Sequence, residues 1–189
     1  MPFISPTPRE TVALAPPNAP RVIVTVRPVL DIPRSSLEGA LNGVALAALI
    51  YMLIVLLTNW ARLPEIVPSH FGASGEADGM GSRATLWILP GSTAALIVGF
   101  AILRRFPHRF NYPWKITLEN AERQYALAIH LLAVIEAEIA VMFAYITQAT
   151  VQVALGNARG FDPVIASAGA AVLLGTIIAY FYLSHQERG

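Results

Sequence analysis

Apolar positions along the chain gather into four long runs, separated by polar segments of unequal length. The first, GALNGVALAALIYMLIVLLTNW, holds no charge between Glu38 and Arg62. The second, ATLWILPGSTAALIVGFAIL, ends at Arg104 and Arg105. The third, QYALAIHLLAVIEAEIAVMFAYITQATVQVALG, belongs to a helix expected to begin earlier, near Thr117, and the fourth is VIASAGAAVLLGTIIAYFYL. About 20 apolar residues cross the roughly 30 Å of bilayer hydrocarbon, so each run predicts a transmembrane helix, at about 37–59, 84–104, 118–155 and 163–184.

Local signals mark the ends. Ser35 and Glu38 form a capping-box pattern in which each satisfies a free backbone N–H of the first helix. Asp162 followed by Pro163 is an N-cap with the favoured first-turn proline. Pro90 lies inside the second run and either kinks that helix or marks where its regular part begins. Before the first run, residues 1–36 hold eight of the fourteen prolines, which disfavours helix and central strand alike. That tail shows no signal-peptide pattern, and its one strand-like stretch is Val22 to Val26. The expected architecture is an all-α integral membrane protein. A Pro-rich, largely irregular tail (1–36) precedes a four-transmembrane-helix bundle (37–189), with an extracytoplasmic loop at 60–83.

Composition sharpens this picture. The 189 residues are 55% hydrophobic and only 13% charged, against about 25% charged in ordinary soluble domains. A net charge of +1 with no basic cluster argues against nucleic acid. With no cysteine there is no disulfide, thiolate nucleophile or thiolate metal site. The basic residues set the orientation: the tail, the 104–123 connection and the C-terminus gather ten of them, and the other side receives only Arg62, Arg83 and Arg159. The positive-inside rule then places both termini in the cytoplasm and residues 60–83 outside.

Small residues recur every fourth position at Gly39, Gly43 and Ala47, at Gly91, Ala95 and Gly99, and at Ser167, Ala171, Gly175 and Ala179. Such stripes let helices approach closely, within the bundle or against a second copy. In the third run, at about 100° per residue, His130, Glu138, Tyr145, Gln148 and Gln152 fall on one stripe roughly 80° wide. It is expected to face the bundle interior, with Glu136 on the opposite side near Thr147 and Thr150. The stripe either organises an ion or proton path around Glu138 or fixes helix register through hydrogen bonds.

Between the first two runs lies LPEIVPSHFGASGEADGMGSRATLWILP. Pro64 and Pro68 stiffen its start, and Gly72, Gly75, Gly79 and Gly81 permit sharp bends. Ala77-Asp78-Gly79 reads as a tight turn. His70 with Glu65, Glu76 and Asp78 supplies metal-ligand atoms, but the spacing matches no closed zinc pattern and only one histidine is present, so no metal or cofactor is assigned. No G-x-S-x-G elbow accompanies the adjacent Ser69 and His70.

The positions Leu63, Pro64, Pro68, His70, Phe71, Gly75, Asp78, Gly79, Ser82, Arg83, Leu89 and Pro90 resemble the bacterial membrane domain of unknown function found at the N-terminal end of SdpI-type immunity and signalling proteins. The resemblance is strong over about residues 45–100, and weaker through Phe110-Asn111-Tyr112-Pro113. The chain is expected to depart from the longer immunity proteins by stopping after four spans, without their separate C-terminal membrane module. The resemblance implies a non-enzymatic, membrane-embedded binding or sensing role.

The functional expectation is a loop that recognises an extracytoplasmic ligand or partner. His70, Phe71, Glu76 and Asp78 make the contact, Asp78-Gly79 shapes the turn, and Arg83 anchors the loop at the interface. Two rivals stand beside it: an accessory subunit of a larger membrane complex, and a small ion- or proton-conducting protein using Glu138. Membrane lipids and protein partners, or further copies of the chain, are the expected neighbours.

Overall fold

A computed structural model describes residues 27–189. The Val22 to Val26 stretch and most of the Pro-rich tail lie outside the described residues. The described chain is mostly helical, and four of its helices are long and apolar enough to cross a membrane. In chain order their regular α-helical parts are α1 (Ser36–Asn59), α2 (Ile88–Leu103), α3 (Ala121–Ala154) and α4 (Pro163–Gln186), and with the adjoining 3-10 turns the first two spans run as Ser36–Arg62 and Arg83–Leu103. Two short strands, β1 (Ile66–Phe71) and β2 (Ala77–Ser82), stand between α1 and α2. Residues 60–83 form an antiparallel hairpin held between 3-10 turns at Trp60–Arg62 and Arg83–Trp87.

The helix ends follow their local chemistry, with one correction. Ser35 Oγ accepts from the Glu38 N–H at 3.1 Å, but the Glu38 carboxylate does not turn back to Ser35. It is buried instead, 3.8 Å from Arg104, so the expected capping box is only half made. Pro90 falls in the first turn of α2, where a missing N–H leaves no intrahelical bond unmade. It marks the start of the regular helix. Before α3, the Thr117 N–H donates to Asn120 Oδ1 at 2.9 Å and the Asn120 N–H to Thr117 Oγ1 at 3.3 Å. The chain therefore turns at Thr117 and becomes helical at Ala121. Asp162 caps α4 by accepting from the Val164 N–H at 2.8 Å.

The long α3 is the hub, packing against α1, α2 and α4. Its inward positions include Ala133, Ala137, Ala140 and Ala144. Opposite them α1 presents Ala45, Ala48 and Met52, forming one buried cluster with Ala140 and Ala144. These alanines let the two helices approach closely, so dispersion accumulates over many contacts. The stripes at Gly39, Gly43 and Ala47, at Gly91 and Ala95, and at Ser167, Ala171, Gly175 and Ala179 all face outward. They do not build the bundle. Four-residue spacing alone says nothing of which side of a helix is inward, and buried Glu38 turns the Gly39 stripe away from the core. The α4 helix rests on α3, where Gly169 makes room for the end of Met142. Its apolar outer face, with Val172 and Ile178, stays uncovered, as a lipid-facing surface is.

At the end of the bundle near the tail, residues 27–35 run as an extended strap. The Arg27 guanidinium donates to the Phe110 carbonyl, and Tyr125 Oη donates to the Pro28 carbonyl at 3.1 Å. Leu30 and Ile32 pack onto Ile116, Ala121 and Tyr125. Burial beneath this strap pushes the Tyr112 phenol above its ordinary range. Nearby, Gln124 and Ser184 exchange two hydrogen bonds, at 2.6 and 2.8 Å, fixing the end of α4 to the start of α3.

Candidate functional site

The hairpin is built by what β2 lacks. Its sequence, ADGMGS, places glycines at 79 and 81, opposite His70 and Val67. A Cβ on Gly79 would stand 2.9 Å from the His70 Cβ, and one on Gly81 3.1 Å from the Ser69 Cβ. The glycines let an irregular β1, whose register shifts on either side of His70, lie close against its partner strand. The reversal comes at Gly72–Glu76: the Gly72 N–H donates to the Glu76 carbonyl at 2.9 Å, and Gly75 adopts φ +82°. Ala77-Asp78-Gly79 is not the turn, because the positive φ that the reversal needs sits at Gly75. Asp78 and Gly79 are strand residues.

That placement gives Asp78 another task. Its Oδ1 lies 2.5 Å from His70 Nδ1, and the two side chains are 54% and 72% exposed. A carboxylate on Nδ1 fixes the ring orientation and leaves Nε2 directed outward. Glu76 is exposed beside them. Phe71 is half-buried and meets Phe161 edge-on, with ring centroids 5.2 Å apart.

The hairpin is pinned at both ends. At its base, Arg83 donates to the Leu63 carbonyl at 3.3 Å, and its guanidinium lies 5.0 Å from the centre of the Trp60 ring. Trp60 in turn meets Trp87 at 5.8 Å, an aromatic pair suited to the headgroup level. Pro64 is exposed at the base, whereas Pro68 is buried in β1 opposite Met80. Val67 is fully buried among Val55, Leu56, Leu63, Leu86 and Val151. At its tip, the Phe161 N–H donates to the Gly75 carbonyl at 2.9 Å, and Glu76 bridges to Gly160. Gly160 and Gly75 touch through backbone alone, since a Cβ on either would fall 2.1 Å from a carbonyl oxygen of the other segment. Beneath the hairpin a cavity of about 200 Å³ opens between Pro68, Phe71, Thr85, Leu89 and Thr147.

The polar stripe of α3 is not gathered into an interior path. All five of its residues are only half-buried, and four meet separate neighbours. His130 Nε2 pairs with Ser35 Oγ at 2.9 Å. Thr176 Oγ1 donates to Glu138 at 2.5 Å. Tyr145 Oη accepts from the Asp162 N–H at 2.8 Å, and Gln152 accepts from Asn157 at 3.0 Å. The Gln148 side chain makes no hydrogen bond among the described residues. The interior position belongs to Glu136, 2% exposed and ion-paired with Arg104, with Thr147 and Thr150 buried on the same face. Periodicity placed these residues on two faces correctly but assigned the interior to the wrong one, because it counted polar groups along one helix and not the cation on another.

Two further sets escaped sequence reasoning. Gly160 and Phe161 lie in a short connection with no motif of their own. Glu38 and Arg104 each had a sufficient local explanation, as a helix cap and as a positive-inside charge, so nothing in the sequence paired them.

Residues 47–94, which span the hairpin and the adjoining parts of α1 and α2, match a protein family described as a domain of unknown function, DUF1648. An uncharacterized protein of Archaeoglobus fulgidus is 40% identical over 98 residues, covering 48% of this chain and 51% of that protein. The chain thus spans about half the length of that curated relative. No solved structure matches the chain.

Proposed function

We propose that the protein is a non-enzymatic, multi-pass membrane protein whose outward-facing hairpin recognises an extracytoplasmic ligand or partner, with both termini in the cytoplasm. The supporting observation is the exposed His70–Asp78 pair on a hairpin tethered at base and tip. An imidazole already oriented by a carboxylate, on a backbone already fixed, loses little freedom on binding. Phe71 and Glu76 extend the recognition surface. The ten basic residues on the tail side support the orientation. The resemblance to the domain preceding SdpI-type immunity modules favours a sensing or immunity-like role in a bacterial inner membrane.

A photo-crosslinking side chain at Met80, exposed on β2 beside Asp78, tests this in native membranes. The expected result is a discrete adduct that disappears with His70→Ala or Asp78→Ala. No adduct, or one unchanged by both substitutions, would overturn the reading. A second reading, an accessory subunit of a membrane complex, draws on the outward small-residue stripes of α1, α2 and α4. Purification in mild detergent as a heteromeric particle would support it.

A further inference from the structure

At the opposite end of the molecule from the hairpin, α1 begins, α2 ends and the strap crosses between them. There a cavity of about 340 Å³ opens, lined by Asp31, Arg34, Glu38, Asn42, Arg104 and Arg105 among others. Its charges are unevenly satisfied. The Arg104 guanidinium commits one nitrogen to Glu136 and another to Asn42 Oδ1, at 2.7 Å for the latter. Glu38 is left 3.8 Å from Arg104, beyond hydrogen-bond reach. Its carboxylate accepts no hydrogen bond among the described residues, although the residue is only 5% exposed. Two buried carboxylates thus share one buried cation. A carboxylate so enclosed requires donors and positive charge.

The rim carries the opposite demand. Arg34 and Arg105 are exposed guanidiniums that outnumber the one exposed carboxylate in the lining, Asp31, and such groups pair well with phosphate. A bare cation entering the cavity would pass these arginines, whereas a simple phosphate would be driven against Glu38. A single molecule that carries an ammonium and a phosphate satisfies both. Among the described residues no aromatic ring lines the cavity, so none of them forms the cage that a quaternary ammonium prefers. A primary ammonium, with three N–H donors, fits the Glu38 carboxylate, which accepts no hydrogen bond from the described residues, better.

We propose that this cavity binds an amino-phosphate zwitterion, its primary ammonium on Glu38 and its phosphate on Arg34 and Arg105. Two sources share that chemistry: the headgroup of an aminophospholipid and a free phosphoethanolamine-type compound. The position favours the lipid, because the ends of the spans lie at headgroup level, where basic pockets between helices take lipid phosphates.

The test reconstitutes the full chain in nanodiscs holding equal amounts of phosphatidylethanolamine, phosphatidylcholine and phosphatidylglycerol, and reads the retained lipid by native mass spectrometry. Phosphatidylethanolamine is expected to be retained about tenfold over each of the others, as loss of one charge-assisted contact implies. Glu38→Gln should abolish that preference. Arg105→Gln, at an exposed position that leaves folding intact, should weaken retention of phosphatidylethanolamine and phosphatidylglycerol alike, and carries the test if Glu38→Gln fails to fold. Displacement by soluble glycerophosphoethanolamine would assign the site to a free zwitterion, and failure to displace would assign it to the lipid. Equal retention of the three lipids, preference for phosphatidylglycerol or phosphatidylcholine, or a preference untouched by both variants would overturn the proposal.

Discussion

His70 and Asp78 face each other across the hairpin with Nδ1 and Oδ1 2.5 Å apart, both side chains open to solvent. An exposed pair of this kind adds at most about 1 kcal/mol to stability. His70→Ala and Asp78→Asn are therefore expected to leave thermal unfolding in detergent nearly unchanged, a loss of less than about 1 kcal/mol, while abolishing cross-linking at Met80. A large drop in unfolding temperature would show that the pair supports the fold and not recognition.

Gly75 and Gly160 hold the tip of the hairpin against the connection between α3 and α4. Gly75→Ala would place a Cβ 2.1 Å from the Phe161 carbonyl oxygen at φ +82°. The backbone conformation alone costs about 1–2 kcal/mol for a residue with a side chain. Faster hydrogen exchange across 72–82 and quicker proteolysis there are expected, with the helices unaffected. Unchanged exchange would mean that the tip is not tethered through this contact.

Arg104 is buried against Glu136 and beside Glu38. Removing it leaves two enclosed carboxylates, so Arg104→Ala is expected to destabilise the protein by about 3–5 kcal/mol. Arg104→Met combined with Glu38→Gln and Glu136→Gln should recover most of that loss, because no uncompensated charge remains. Denaturation in mixed micelles measures both. A triple variant as unstable as the single one would place the effect in packing.

Thr176 donates to Glu138 where α4 meets α3. Interhelical hydrogen bonds within membranes average about 0.6 kcal/mol, so Thr176→Val should cost roughly that much. Glu138→Gln keeps an acceptor in place and should leave proteoliposome ion flux at the background level. Flux that falls on this substitution would instead support the conducting role.

Orientation is open to direct labelling, since the chain contains no cysteine. A cysteine at exposed Ser74 is expected to react with a membrane-impermeant maleimide in intact cells, and one at His108 only after permeabilisation. The reverse pattern would invert the topology and remove the hairpin from the outer face.

The sequence by itself determined the four apolar spans and the caps at Ser35 and Asp162, and it left Pro90 between two roles that the structure decided. It also marked the segment holding His70 and Asp78 as distinctive. Hydrophobic run length and the stereochemistry of proline, glycine and capping side chains are local quantities, legible along one dimension. It did not determine that the Asp78 carboxylate reaches His70 from a strand instead of shaping a turn, because a short glycine-rich strand leaves its register to be set by the residues it meets. Tertiary structure alone decided that Glu136 faces inward against Arg104, that Glu38 joins them, and that the glycine stripes face outward. Burial of a charge depends on which cation a different helix brings within reach, and no period in a single helix carries that information.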